Sequence, residues 1–299
     1  MSQSLENMRR KLNGAAELGS VVRTMKALAA ASIGQYEAAV RSLEGYYRAV
    51  DLGLAACLIK ADHLDAAMAR AASAEGPIGV LVFGSDQGLV GQFNDVVADF
   101  AVREMSLMMT TNKLLWAVGD YVHSRLLDSG YTPVSRFSLP ASVSAITPLI
   151  GRILGEIEAH RAKGDVEQVY VIHNQPRSGA IYEPVIQRLL PLEGKSGQEV
   201  TDVSWQAHKI PEVIGDPVQA LLALVREYLF VSLFRACAES LASENASRLA
   251  AMQRAENNID GLREELTVSF NRLRQRKIDE ELFDVISGFE AASGNTDPL

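Results

Sequence analysis

The chain has 299 residues, of which 47% are hydrophobic and 22% charged, and its formal net charge at pH 7 is -8. This composition excludes a disordered or low-complexity chain, and the acidic balance argues against general nucleic-acid binding. The two cysteines, Cys57 and Cys237, are too few for a disulfide scaffold or a cysteine-rich metal module.

Both ends of the chain are free of proline, a residue that interrupts helix interiors. No proline precedes Pro77, and none lies between Pro217 and Pro298. In both stretches apolar side chains recur at three-to-four spacing, which is typical of amphipathic helices. Asp216 and Pro217 suit the cap and the first turn of the second helix.

The length of the second helix decides how it must pack. From Pro217 to about Gly288 it would measure roughly 105 Å at 1.5 Å per residue, which exceeds the diameter of a globule of this chain length. It must therefore protrude, and we expect the N-terminal helix to cover its apolar stripe as an antiparallel coiled coil. The combined stripe is not a clean heptad repeat, so we expect part of it to face other subunits.

The middle of the chain alternates short apolar runs with helical segments, which is typical of a mostly parallel sheet with right-handed crossovers. The predicted strands are residues 78–83, 113–118 and 166–172, and the predicted helices are residues 94–109, 120–128 and 144–163. Edge strands are expected at residues 181–190 and around Trp205, and a loop at residues 194–197.

The predicted fold class is α/β plus coiled coil, in which long N- and C-terminal helices form an antiparallel coiled coil and flank a central α/β domain with a mostly parallel sheet. The predicted parts are an N-terminal coiled-coil helix at residues 1–75, a central domain at residues 76–212, a C-terminal coiled-coil helix at residues 213–290 and a flexible tail at residues 291–299.

The best candidate for a phosphate-binding loop is residues 84–94, GSDQGLVGQFN, between a predicted strand and a predicted helix. The spacing fits neither the dinucleotide fingerprint nor the Gly-Lys-Ser/Thr loop, and Asp86 and Asp95 would repel an anion. We interpret the segment as a tight structural turn. The scattered histidines and the absence of a nucleophile motif predict no catalytic residue, no cofactor and no metal site.

The sequence predicts no direct insertion into a membrane. The first residues lack the apolar core of a signal peptide. The most apolar window, residues 218–234, is interrupted by Arg226 and Glu227. We expect a protein that is soluble or held at a membrane through its partners.

Two basic clusters lie in the predicted helices. The first comprises residues 9–11, Arg23 and Lys26, and the second comprises Arg272, Arg274, Arg276 and Lys277. Composition leaves two interpretations open: a solvated helix surface, or docking onto acidic partner loops at two heights of a shaft.

Four distinctive segments are distributed over the whole chain: MKALAAA at residues 25–31, SDQGLVGQFN at residues 85–94, SENASRLAAM at residues 243–252 and ELTVSFNRLRQ at residues 265–275. Together they resemble the gamma subunit of F-type ATP synthase. Residues 243–252, SENASRLAAM, are similar to its Ser-Glu-x-Ala-x-Arg-x-x-Ala-Met motif. Residues 265–275, ELTVSFNRLRQ, are similar to its Glu-Leu-x-x-x-Tyr-Asn-x-x-Arg-Gln stretch. Residues 25–31, MKALAAA, and residues 85–94, SDQGLVGQFN, resemble two further family segments.

The chain departs from the family pattern at four positions. Ser32 stands where lysine is usual, Gln87 and Val90 replace arginine and cysteine, and Asp279 replaces a small polar residue. These departures favour a divergent member, of the kind found in the alternate F-type ATPases of bacteria.

The resemblance implies a central-stalk rotor subunit that couples proton or sodium flow to ATP synthesis or hydrolysis on the beta subunits. The implied partners are the alpha and beta subunits of the catalytic ring, the epsilon subunit and the membrane c-ring. The implied subunit is non-catalytic and lies peripherally at the cytoplasmic face of the bacterial inner membrane. Two other classes stay open: a coiled-coil scaffold with a globular hinge, and a phosphate-binding α/β enzyme.

The resemblance also assigns subunit contacts to five residues. These are Met25, Lys26, Arg248, Arg274 and Gln275. Arg274 and Gln275 would contact beta-subunit loops near the shaft tip. Met25 and Lys26 would lie at the level of Arg248, where both cations would meet an acidic loop from outside the shaft.

Overall fold

The secondary structure consists of five α-helices and five strands among the residues that the computed structural model describes, namely 2–60, 76–108, 110, 112–177, 180–192 and 212–293. The helices are α1 (Ser2–Lys60), α2 (Phe93–Leu107), α3 (Asp120–Asp128), α4 (Ile146–Ala162) and α5 (Pro217–Ser293), with a 3-10 turn at Val143–Ala145. The strands are β1 (Ile78–Phe83), β2 (Lys113–Val118), β3 (Ser135–Phe137), β4 (Gln168–Arg177) and β5 (Ala180–Leu190).

The chain forms two compact units, and α1 and α5 contribute to both. One unit combines Met1–Leu28 with Ala250–Leu299, and the other is Ala29–Leu249. The second unit contains the sheet with α2, α3 and α4, which together are called the central domain below.

The sheet is mostly parallel, as predicted. Its strand order is β3-β2-β1-β4-β5, and only β5 runs antiparallel to its neighbour. All six residues of β1 are buried, because the central strand of such a sheet is covered on both faces.

Helices cover the two faces of the sheet. Successive residues of a strand point to opposite faces, so Leu81 and Phe83 join a core with α1, α4 and α5, whereas Val80 and Val82 pack with α2 and α3. The strand order reverses at β1, with β2 and β3 on one side of it and β4 on the other. Right-handed crossovers then put α4 on the face opposite to α2 and α3.

The long helices pack antiparallel in each unit, which confirms the predicted helix pair. In the unit Ala29–Leu249, the ring centroids of Tyr47 and Tyr228 lie 6.0 Å apart. In the other unit, a Cβ atom added to Gly19 would lie 3.5 Å from Cγ2 of Ile259.

The structure corrects several element bounds. Strand β3 was not predicted, because three residues are too few to show a period. Strand β4 continues to Arg177 and α5 continues to Ser293, both five residues beyond their predicted ends. The edge strand predicted around Trp205 and the loop at residues 194–197 lie outside the described residues, and the domain boundaries stay predictions.

Candidate subunit-interaction site

Lys26, on α1, binds two side chains of α5. Its Nζ lies 2.6 Å from Oε2 of Glu256 and donates a hydrogen bond to Oε1 of Gln253 at 2.8 Å. The Lys26 side chain is 33% exposed and that of Glu256 only 14%. The predicted partner of Lys26 was an acidic loop from outside, but the structure gives it a carboxylate on α5.

In the unit that combines Met1–Leu28 with Ala250–Leu299, helix α1 has a second apolar face, beside Met25. Leu18, Val21 and Leu28 are 55 to 64% exposed, and Met25 is half-buried. These residues recur at the three-to-four spacing of one helix face. The sequence pattern contained this signal, but only the structure separates it from the face that packs on α5.

Arg248, in the unit Ala29–Leu249, is mostly buried and bound to its own helix. Its Nη2 lies 2.5 Å from Oε1 of Glu244, and its Nη1 donates to Oδ1 of Asn245 at 3.2 Å. Burial raises the pKa of Glu244 despite the opposing charge of Arg248, and the charge of Asp86 raises it further. The alignment of Met25 and Lys26 with Arg248 stays a prediction.

Arg274 and Gln275 are exposed on α5. Arg274 lies 18 residues beyond Glu256, which is about 27 Å at 1.5 Å per residue. The structure therefore does not bring Arg274 and Gln275 together with Lys26, and contact with partners at two levels stays a prediction.

Beyond Arg274 and Gln275, α5 carries exposed apolar side chains. Because Gly19 lies opposite Ile259 in an antiparallel pair, the start of α1 falls opposite about residue 276 of α5. The apolar side chains beyond that level are 45 to 75% exposed and comprise Ile278, Leu282, Phe283, Val285, Ile286 and Phe289. We call residues 274–289 the α5 tip.

The loop at residues 84–94 uses its polar groups internally. Asn94 Oδ1 accepts from the Ser85 backbone N–H at 2.9 Å, and Asn94 Nδ2 donates to Ser85 Oγ at 2.7 Å. Both oxygens of Asp86 accept backbone N–H groups, from Asp120 and Leu139. These contacts agree with a structural turn.

Helix α5 contacts the loop that follows the carboxyl end of β1. In open α/β sheets this point, where the strand order reverses, is where ligands bind. Here Ser247 Oγ donates to the carbonyl of Val90 at 2.6 Å. His173, which follows the last β4 residue paired with β1, contacts Glu239. Helix α5 thus packs beside this point of the sheet.

Two further classes of site are not found in the described ranges. No group of three His, Cys, Asp or Glu side chains there could hold a metal ion. No helix there has a stretch both long and apolar enough to span a bilayer. Cys57 and Cys237 are free thiols, both buried.

Relatives with a similar sequence are bacterial gamma chains. The ATP synthase gamma chain of Glaesserella parasuis is 29% identical over 217 residues, covering 72% of this chain and 74% of the relative. That of Polynucleobacter necessarius is 25% identical over 292 residues, covering 96% and 99%.

Solved structures share the fold. A chain from the Euglena gracilis mitochondrial ATP synthase, OSCP/F1/c-ring, matches with a TM-score of 0.69 at 16% identity, covering 100% of this chain and 98% of that one. A chain from the Tetrahymena thermophila mitochondrial central stalk and c-ring matches with a TM-score of 0.54 at 19% identity, covering 79% and 99%. A family model described as ATP synthase matches residues 4–292, and the chain therefore belongs to the ATP synthase family.

Proposed function

We propose that this chain is a gamma-type rotor subunit of a central stalk. It couples transmembrane proton or sodium flow to ATP synthesis or hydrolysis on beta subunits. Family membership and gamma-chain relatives support this role. The structural observation that carries it is the α5 tip.

The α5 tip suits a surrounding ring better than a single partner helix. At 100° per residue its six exposed apolar side chains spread over about 160° of the helix circumference. A helix that packs on one side needs a stripe of about 100°. Apolar surface of this extent marks an interaction site, and a ring of alpha and beta subunits would cover it from several directions.

Within this proposal the five assigned residues contact the ring at two levels. Arg274 and Gln275 are exposed and available to beta-subunit loops. Met25 lies beside the exposed apolar face of α1, which would extend the contact. Lys26 and Arg248 would contact an acidic loop as members of ion pairs, so the loop would compete with Glu256 and Glu244.

The subunit would itself be non-catalytic. Helix α5 contacts the loop after β1, near the point where an open α/β sheet binds its ligand, and ATP chemistry would belong to the beta subunits. The epsilon subunit and the membrane c-ring complete the proposed partners. Because the relatives include bacterial gamma chains, we place the complex at the cytoplasmic face of the inner membrane, with this chain peripheral.

Co-purification tests the proposal directly. A tagged chain expressed in its native host should bring down alpha and beta subunits with ATPase activity. Recovery of the chain without them would overturn the rotor and favour a coiled-coil scaffold. Micromolar ATP binding by the isolated chain in calorimetry, lost in Gly88→Trp, would instead favour an enzyme.

A further inference from the structure

A buried polar network joins β4 to α5. His173 is 3% exposed, and its Nε2 lies 2.9 Å from Oε2 of Glu239. Arg235, one turn earlier on α5, donates from Nε to Oε1 of the same carboxylate at 2.7 Å. One oxygen of Glu239 is therefore bound from the sheet and the other from its own helix.

The contacts show how the carboxylate of Glu239 is held. Nδ1 of His173 is buried without a hydrogen-bond partner among the described residues, so a proton there would be an unsatisfied donor. A hydrogen on Nε2 suits the contact with Glu239, because an ionised carboxylate can only accept. Burial raises the pKa of Glu239, but the hydrogen bonds from His173 and Arg235 outweigh it and hold the pKa below its usual range.

The surroundings of the network give it a specific task. Neighbouring residues of α5 also pack on the core. They include small side chains, Ala236, Cys237 and Ala238, and larger ones, Leu233, Phe234 and Leu241, all at most 8% exposed. These apolar contacts are non-directional. A charge-assisted hydrogen bond weakens steeply when its distance or angle changes. The network therefore adds a directional contact that opposes rotation or sliding of α5 on the sheet.

We propose that the network of His173, Glu239 and Arg235 holds α5 in place on the central domain while the rotor turns. These are positioning residues, and they touch no substrate. The inference rests on the proposed rotor function, because torque would act between the central domain and α5 only in a subunit that rotates.

Hydrogen exchange on the isolated chain first tests whether the network holds α5 on the central domain. His173→Ala should make the amides of α5 around Glu239 exchange about tenfold faster, since a buried hydrogen bond is lost. His173→Gln, whose amide can donate to Glu239, should keep most of the protection. His160→Ala is the matched control, because His160 also contacts a carboxylate, Asp165 at 3.0 Å, but inside the central domain.

Coupling in the assembled complex distinguishes positioning from simple stabilisation. In vesicles, complexes with His173→Ala should hydrolyse ATP but move fewer ions per ATP hydrolysed. His173→Gln should restore the ratio, and His160→Ala should leave it unchanged. If the alanine variant folds poorly, Arg235→Gln tests the same network from a side chain that is 48% exposed.

Each contrary outcome has a definite meaning. Faster exchange with an unchanged ratio would make the network purely structural and overturn the inference. An equal loss in His160→Ala would reveal general destabilisation and also overturn it. Failure of the unmodified chain to assemble with alpha and beta subunits would instead contradict the proposed function.

Discussion

At the scale of single residues, Lys26 is a cation predicted to contact a partner subunit, yet it forms an ion pair within its own chain. Its ion pair with Glu256 joins α1 to α5, and both side chains are partly shielded from water. The free energy that such a pair contributes to folding lies between that of exposed pairs, which is small, and that of buried pairs, which are costly to break. An outside acidic loop could bind Lys26 only by replacing or sharing Glu256.

A double-mutant cycle measures this pair. Lys26→Met, Glu256→Gln and the double variant should give a coupling of about 1 kcal/mol in urea unfolding, because the pair is half-buried. The control cycle uses Arg263 and Asp260, whose atoms are 3.9 Å apart and whose side chains are 43% and 57% exposed. Equal coupling in the two cycles would show that shielding of Lys26 contributes nothing.

Arg274 and Gln275, unlike Lys26, should contribute little to the stability of the isolated chain. Arg274→Ala combined with Gln275→Ala should change the isolated chain's free energy of unfolding by less than about 0.5 kcal/mol, since both side chains are exposed. A desolvated contact with the ring would make the same change cost about 2–5 kcal/mol of binding free energy.

Ring affinity and ion pumping measure the effect of the tip variant. Arg161→Ala, equally exposed on α4, is the control. Unchanged assembly, hydrolysis and pumping in the double variant would contradict the predicted role of Arg274 and Gln275.

Glu239 makes the stability of its unit depend on pH. Its pKa is lowered in the fold, so its contribution is complete above the unfolded value of about 4.3 and is lost as pH falls through the folded value. The free energy of unfolding, followed by tryptophan fluorescence, should therefore decrease below about pH 4. Glu239→Gln should lack that part of the decrease, and identical pH profiles would contradict it.

At the scale of elements, the register of the helix pair is directly testable. With Cys57 and Cys237 replaced by alanine, Gly19→Cys with Ile259→Cys should form a disulfide, because a Cβ on Gly19 meets Ile259 at 3.5 Å. Gly19→Cys with Gly261→Cys should not, since a Cβ on Gly261 meets nothing within 4 Å. Equal crosslinking of both pairs on mild oxidation would refute this register.

The sequence predicted the elements better than it predicted their contacts. The bounds of β1, β2 and α3 follow from apolar runs and turn residues, which are local signals. The pairing of Lys26 with Glu256 depends on which residues of two distant helices stand opposite each other, and a period cannot specify that. The same holds for His173 and Glu239, which lie 66 residues apart.

The exposed face of α1 was missed for a related reason. Leu18, Val21 and Leu28 follow the same three-to-four spacing as the face that packs on α5. A helix with two apolar faces gives a blurred pattern, and only the position of the partner helix separates them. The structure thus adds which of the two faces is left for other molecules.

At the scale of the whole molecule, the α5 tip leaves apolar surface exposed, and the proposed ring would cover it. Phe283 and Phe289 are 69% and 75% exposed. Phe283→Gln with Phe289→Gln should leave the isolated chain's thermal unfolding unchanged, because no packing is lost and glutamine is a good helix former. The same variant should assemble less with alpha and beta subunits, because burial of two phenylalanines there contributes roughly 1.5–3 kcal/mol each.

The control for this prediction is the same kind of change elsewhere. Leu107→Gln, at the end of α2, removes an apolar side chain that is 71% exposed. It should leave assembly with the ring unchanged, since the ring contact is assigned to the α5 tip rather than to exposed apolar surface in general. Size-exclusion chromatography of the reconstituted mixtures gives the bound fraction. Equal losses in both variants would mean that surface hydrophobicity promotes assembly without specificity, and no loss in either would remove the α5 tip from the interface.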